Sequence, residues 1–272
     1  MVSVDLEPAF RYIFRFAWAR DLCLRALYTR LAMRAEQADI PFLNYGWLPT
    51  GSSWVPTLLP SDEPHATGIH LYQRVVEGVD LRGKDVLEVS SGHGGGASYV
   101  QRYLGPRSVV AIDRNPVAIK FARQRYANSG VSFRCADASA LPFRSGSLNA
   151  VINVEASHGY PDAMRFFEEV RRVLRPEGHF LFADFRFAEE CGQLQRDLLA
   201  TGLQLVIKED ITEGVVRALD ATTDRNRAKI RRWAAPWMRH AVEEFAGVAG
   251  SRMYEGFKTG GIVYLRYVLE RR

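Results

Sequence analysis

Short β-rich runs alternating with helical patterns across residues 84–210 predict an α/β fold built on a mostly parallel, seven-stranded sheet with helices on both faces. Two further observations support it. Gly92, Gly94, Gly95 and Gly96 follow the first apolar strand and open a helix, and two later strands end in acidic residues, Asp113 and Asp137. In open α/β sheets ligands sit at that edge, so a small-molecule site is expected there.

The elements follow in order. Residues 9–38 read as a helix stopped by Ile40-Pro41, because the residue before a proline disfavours helical backbone. Its arginines (Arg11, Arg15, Arg20, Arg25, Arg30) fall mostly five apart, a step of about 140° around the axis, so they form no single polar face. Such a helix packs on its own domain or on a second copy of the chain in a homodimer. A peripheral membrane contact is the lesser alternative, kept open by Phe14, Phe16, Trp18 and Tyr28. The same arginines argue against a spanning helix, and the start Met-Val-Ser-Val-Asp lacks the positive region of an export signal. Residues 41–64, rich in Pro, Gly and Ser and carrying Trp47 and Trp54, read as a long irregular segment of the kind kept for function. His65–Val79 reads as helix.

Strands are expected at Asp85–Val89, Ser108–Ile112, Val131–Cys135, Leu148–Val154 and Gly178–Phe185, with helices at 96–104, 115–128, 162–174 and 190–200 between them. Leu203–Lys208 and Ile262–Val268 complete the sheet, the last antiparallel, and a helical insertion at 212–247 precedes that last strand. The chain therefore divides into an N-terminal helical and lid segment, 1–69, and an α/β domain, 70–272.

Composition narrows the function classes. The 272 residues are 47% hydrophobic and 25% charged, enough apolar matter for a sizeable core, so dominant disorder is excluded. Cys23, Cys135 and Cys191 are odd in number and far apart, which argues against a disulfide scaffold and for a cytoplasmic setting. The net charge of +5 is concentrated in 212–240, where seven basic residues face three acidic ones. A solvated helix face explains that excess, and no nucleic-acid partner is expected.

The segment Asp85-Val-Leu-Glu-Val-Ser-Ser-Gly-His-Gly-Gly-Gly carries the most chemistry. Glycines there let the backbone turn sharply and let a ligand approach the main chain at a helix N-terminus. Glu88 lies inside the strand end, where a carboxylate is costly without a partner. Asp113, 25 residues after Glu88, ends the second strand, where an acid can accept both hydroxyls of a ribose. A plain tight turn remains the bland reading, and dinucleotide enzymes use the same turn.

Five blocks in order, VLEVSSGHGGG, VVAIDRNPVAI, FRCADASALPF, SGSLNAVINVEASHGY and FFEEVRRVLRPEGHFLFADF, resemble the class I S-adenosylmethionine-dependent methyltransferases, which have a Rossmann-like fold. The resemblance covers about residues 70–210. It implies S-adenosylmethionine as cofactor, with Glu88, Ser90, Gly92 and Gly94 on its methionine part, Asp113 and Arg114 on the ribose, Asp137 and Ala138 at the adenine, and Asn153 beneath it. One departure is visible: Ser90 stands where the first glycine of the loop is usual. The blocks Asn44-Tyr45-Gly46-Trp47, His70-Leu-Tyr72 and Glu155-Ala-Ser-His158-Gly-Tyr160 resemble an actinobacterial subgroup that includes phthiotriol dimycocerosate and fatty-acid O-methyltransferases. That narrower resemblance implies O-methylation of a hydroxyl or carboxyl on a lipid, polyketide or related secondary metabolite, and adds Tyr45 to the cofactor site.

An alcohol acceptor must lose a proton, and His158, directly after the fourth strand, is the candidate base. A turn-capping histidine is the alternative. Glu155 either polarises His158, lines the pocket or is structural. Trp47, Tyr72, Tyr160, Trp233 and Trp237 are candidates for the acceptor pocket, with ordinary packing the alternative for aromatics in loops. The remaining histidines show no ligand spacing, and no metal is expected. Rival readings are a nicotinamide oxidoreductase, a methyltransferase of sugars or other small polar acceptors, and a non-methylating cyclase or interaction module on the same fold.

Overall fold

The computed structural model describes residues 39–51 and 55–272. The helix expected over 9–38, with its homodimer and membrane alternatives, lies outside the described residues, as does Trp54. Among the described residues no helix is long and apolar enough to cross a membrane.

Seven strands form one sheet: β1 (Asp85–Val89), β2 (Ser108–Asp113), β3 (Val131–Cys135), β4 (Leu148–Val154), β5 (Leu174–Phe187), β6 (Gln204–Asp210) and β7 (Ile262–Arg271), in the order β3-β2-β1-β4-β5-β7-β6. β1 to β5 pair in parallel, and β7 runs antiparallel between β5 and β6. Helices α1 (Ala66–Val76), α2 (Gly95–Tyr103), α3 (Pro116–Arg125), α4 (Ala163–Val173) and α5 (Cys191–Ala200) alternate with the strands. This is the expected doubly wound architecture.

Strand alternation sorts the core into two layers. Val86, Ala150, Ile152, Leu181 and Ala183 face α1 and α2, while Leu87, Val151, Phe180 and Phe182 face α4. α4 shows the logic of one helix. Asp162 caps it by accepting the Arg165 N–H, and Phe166, Phe167, Val170 and Val173 are fully buried on its inner face. Each such side chain contributes about 1.5–3 kcal/mol of hydrophobic stabilisation.

Three boundaries differ from the sequence reading. α1 starts at Ala66 after a 3-10 turn and ends at Val76, because Glu77 leaves helical backbone and Gly78 turns at φ +91°. β5 begins at Leu174 directly after α4, and its pairing with β4 shifts register between Leu148 and Ala150. The insertion holds α6 (Thr212–Trp233) and α7 (Arg239–Phe245), then continues past 247 with α8 (Arg252–Thr259). Gly247 and Gly250, at φ +60° and +87°, turn the chain without ending the helical region.

The chain reverses direction across the sheet between β1 and β4, which are neighbours. That switch point opens a crevice at the strand C-termini, bounded by Val89-Ser90 on one side and Val154-Glu155 on the other.

Candidate active site

The turn after β1 has left-handed backbone at Ser90, Gly92 and Gly94, with φ of +59°, +51° and +84°. Ser90 thus takes the conformation that the usual glycine would take, and its hydroxyl is 2.5 Å from the Tyr160 hydroxyl. The Ser90 hydroxyl thus ties the turn to Tyr160.

The neighbouring glycines make room for protein. A Cβ at Gly94 would lie 2.7 Å from Phe133, and one at Gly96 2.0 Å from Tyr72. The Pro41 carbonyl accepts the Gly95 N–H at 3.1 Å, so residues 39–45 cross the turn closely. Gly94 therefore packs against β3 and α3, and does not border the cleft as the sequence reading expected.

The cleft at the switch point encloses about 400 Å³ and is bordered by Ser90, Gly92, Asp113, Arg114, Asp137 and, on the far side, His158 and Tyr160. Asp113 accepts the Gly92 N–H (2.9 Å) and the Asn115 N–H (2.8 Å), which fixes its carboxylate at the β2 tip. Burial raises its pKa against those two hydrogen bonds. Asp137 accepts from the Ser139 N–H and hydroxyl, both at 2.8 Å.

Glu88 is 2% exposed and lies behind Tyr72, whose hydroxyl donates to Oε1 at 2.5 Å. Its Oε2 is buried without a hydrogen bond. Burial pushes the Glu88 carboxyl up to about 8, opposed by the Tyr72 and Ala97 hydrogen bonds. A buried carboxylate short of partners suits a nearby cation. Tyr72, expected at the acceptor pocket, thus stands between Glu88 and the cleft.

Past β4 the chain makes a 3-10 turn, Ser157–Gly159, that turns His158 toward the cleft. Asp184, fully buried on β5, receives three hydrogen bonds from this turn: His158 Nδ1 at 2.8 Å, the His158 N–H at 2.9 Å and the Ser157 hydroxyl at 2.6 Å. Arg186 lies 2.9 Å from the same carboxylate. Burial alone would raise the Asp184 pKa, but Arg186 and His158 hold it well below the carboxylate range. An ionised Asp184 can only accept, so Nδ1 carries a proton, and in the neutral ring the lone pair then falls on Nε2.

Glu155 does not polarise His158. Its Oε2 accepts the Tyr45 N–H and the Tyr264 hydroxyl, each at 2.9 Å. It borders both the cleft and a second cavity of about 160 Å³ between residues 39–45, α6 and α7.

Other expected positions move. Tyr45 packs its ring against Phe185 and Phe257 and borders the second cavity, not the cofactor cleft. Trp47, 3% exposed, is wedged against Gly214 of α6 with the Arg74 guanidinium 5.4 Å from its ring centroid, and borders neither cavity. Asn153 is fully buried behind the cleft, donating to the Val89 carbonyl and the Tyr160 hydroxyl, each at 3.0 Å. Ala138 packs on the α4 side of the core while Asp137 borders the cleft. Trp233 lines the second cavity, and Trp237 lies on the 3-10 turn Pro236–Met238.

Sequence reasoning missed two residues. Asp184 is an acid inside the apolar run Phe180-Leu-Phe-Ala-Asp-Phe, which was a readable sign of a buried partner. His93, between two glycines of the turn, is 1% exposed; its Nδ1 hydrogen-bonds the Ile40 carbonyl, and burial lowers its pKa to about 4, so the ring is neutral. Among the described residues no group of three or more acidic, His or Cys side chains is placed to hold a metal.

The cofactor implied by this cleft can be tested on its residues. The orphaned Glu88 oxygen, the left-handed turn and the β2-tip carboxylate suit a ligand with a cationic amino acid end and a ribose. When bound, S-adenosylmethionine supplies an electrophilic methyl group. The fold and this cleft are those that a class I S-adenosylmethionine-dependent methyltransferase requires.

Residues 87–182 match a methyltransferase-domain family. The phthiotriol/phenolphthiotriol dimycocerosates methyltransferase of Mycobacterium tuberculosis is 40% identical over 229 residues, 84% of each chain. The fatty-acid O-methyltransferase of Mycolicibacterium smegmatis is 34% identical over 258 residues, 93% of each chain. The chain belongs to the family of these methyltransferases. Among solved structures, a geranyl diphosphate C-methyltransferase from Streptomyces coelicolor, in complex with S-adenosyl-L-homocysteine, superposes with a TM-score of 0.64 at 15% identity, covering 91% of this chain and 98% of that one. The cyclase SpnF superposes with a TM-score of 0.70 at 18% identity, covering 91% and 95%. These two likenesses show the fold alone.

Proposed function

We propose that the protein transfers the methyl group of S-adenosylmethionine to an oxygen of a lipid or related lipophilic acceptor, with His158 as the base for a hydroxyl. The observation that carries this reading is the hydrogen bond from His158 Nδ1 to Asp184 Oδ1 at 2.8 Å in a residue that borders the cleft, which leaves Nε2 as the ring nitrogen not engaged by Asp184. His158 would take the proton of an acceptor hydroxyl as the oxygen bonds to the methyl carbon and the carbon–sulfur bond breaks. Asp184 would hold the ring in the right tautomer and stabilise the imidazolium formed. Asp113 and Asp137 would orient the nucleoside from the β2 and β3 tips, and Glu88 the amino acid end.

The lipid acceptor rests on the printed names of relatives at 34–40% identity, which act on phthiotriol dimycocerosates or fatty acids. The apolar lining contributed by Phe42, Trp233, Val242 and Phe245 favours the same class. The test is label transfer from methyl-labelled S-adenosylmethionine to a homologous series of fatty acids and fatty alcohols. Each buried methylene is worth about 0.8 kcal/mol, so kcat/KM is expected to rise steeply with chain length and then level off. A flat profile, or a preference for free sugars, contradicts a lipophilic acceptor. A cyclase or interaction role would give no labelled product with any acceptor.

A further inference from the structure

Two cavities meet at Leu43, Asn44 and Glu155. The first holds the groups assigned to cofactor and base. The second is walled by Phe42, Ile230, Trp233, Val242 and Phe245, with Arg225 and Lys229 also on its lining. Glu155 is the carboxyl group common to both. Oε2 is pinned by the Tyr45 N–H and the Tyr264 hydroxyl, while Oε1 has no hydrogen-bond partner among the described residues. The backbone aims this side chain: Glu155 sits at φ +51° just past β4, and its N–H donates to the Ala183 carbonyl.

We propose that the second cavity takes the apolar chain of the methyl acceptor, and that Glu155 positions the acceptor by donating a hydrogen bond from Oε1 to the oxygen-bearing head as it enters the cleft beside His158. The inference rests on the methyl-transfer reading above and adds a place for the acceptor and a positioning residue for it. The shared chemistry is an alkyl chain ending in an oxygen that accepts a hydrogen bond, met by a long-chain acid or a long-chain alcohol.

Donation requires a protonated carboxyl, and the surroundings supply that. Burial raises the Glu155 pKa well above the usual range; the Tyr45 and Tyr264 hydrogen bonds oppose this and Asp184 adds to it. The ionisable groups around it are Tyr72 of α1, Asp184 of β5, Tyr264 of β7 and His158 of its own loop, with Lys229 and Arg225 of α6 and Asp39 and His65 along the second cavity. The cations of α6 are held by the protein itself: Arg225 Nη1 donates to the Pro64 carbonyl at 2.6 Å and Lys229 Nζ to the Asp39 carbonyl at 3.1 Å, while His65 Nε2 lies 3.3 Å from the Asp39 carboxylate.

The test measures KM and kcat for a saturated acid and a saturated alcohol of equal length, with calorimetry of the same acceptors on the protein saturated with S-adenosylhomocysteine. Glu155→Leu is expected to raise the acceptor KM and dissociation constant at least about tenfold, the scale of one lost buried hydrogen bond, with S-adenosylhomocysteine affinity unchanged. Glu155→Gln, whose amide also donates, is expected to recover most of that loss. In the native protein acceptor KM should rise as pH climbs through the Glu155 pKa and the proton is lost, and Glu155→Gln should abolish that rise. An effect on only the acid or only the alcohol supports the proposal and names the head. A folded Glu155→Leu protein with native acceptor affinity overturns it, as does a Gln variant that keeps the native pH rise. Should Glu155→Leu fail to fold, Ala246→Phe, which fills the second cavity, must shorten the preferred chain; an unchanged chain-length profile overturns the assignment. If no acceptor is methylated but the acceptors still bind in a Glu155-dependent way, the methyl-transfer reading fails and the chamber stands.

Discussion

Asp184 on β5 and His158 after β4 are 26 residues apart in sequence and are joined at 2.8 Å through Nδ1, with a second bond from the His158 N–H to the same carboxylate. Adjacent parallel strands bring them together: Val154 pairs with Ala183, so the residue after Ala183 lies level with the turn that carries His158. A short interaction in space is thus built from a long one in sequence.

Asp184→Asn should weaken the protein mainly above acidic pH. Arg186 and His158 depress the Asp184 pKa against the cost of burial. A depressed folded-state pKa gives stability that is present above the unfolded value, about 3.9, and lost as pH falls through the folded one. The native protein is therefore expected to lose stability as pH falls below about 4, and the Asn variant to lack that part of the slope. Denaturant midpoints from pH 3 to pH 7, about this window, check it; parallel slopes for the two proteins contradict it.

Glu88 has the opposite sign. Its folded-state pKa of about 8 lies above the unfolded value, so its ionisation destabilises the ligand-free fold as pH rises from about 4.5 toward 8. Binding of a cation beside it should drive off a proton. Calorimetry of S-adenosylmethionine in buffers of different ionisation enthalpy should show proton release near pH 7 (~1 unit below that pKa), and Glu88→Gln should show none. Equal proton release in both proteins would detach Glu88 from the cofactor.

Gly94→Ala should act on folding. The added Cβ meets Phe133 at 2.7 Å from a backbone at φ +84°, and overpacking plus left-handed strain costs about 2–4 kcal/mol. Thermal denaturation is expected to show this loss, with partial rescue by Phe133→Leu. A stable Gly94→Ala protein that has lost only cofactor affinity would return Gly94 to the ligand wall.

Ser90 offers a finer comparison. Ser90→Ala keeps the φ of +59° and loses the tether to Tyr160, whereas Ser90→Gly relieves the strain. Glycine should exceed alanine in stability by about 1 kcal/mol. Equal melting temperatures for the two variants would show that the turn is not strained.

Much of the sheet was readable because burial on both faces leaves near-continuous apolar runs, and glycine punctuates the turns. Asp113 and Asp137 were found as acids at strand tips, a position that sequence order alone defines. What escaped depends on side-chain direction. Trp47 is as aromatic as Trp233, yet only the three-dimensional path of residues 39–51 turns it into the notch at Gly214 and away from the cavities. Proximity in sequence leaves Glu155 free to polarise His158, line the pocket or serve the structure, and only its left-handed backbone directs it to Tyr45 and Tyr264. The partner of His158 sat on another strand, where only register could place it.

The most direct test of the account is the turnover lost on His158→Ala, measured in parallel for a fatty alcohol and a fatty acid of equal chain length, with S-adenosylhomocysteine affinity followed in the same protein. A carboxylic acid arrives already ionised at neutral pH, whereas an alcohol needs a base worth about 10²–10⁴ in rate. The account predicts a loss of that size in kcat for the alcohol, a far smaller loss for the acid, and unchanged cofactor affinity. Full activity of His158→Ala on the alcohol would contradict it.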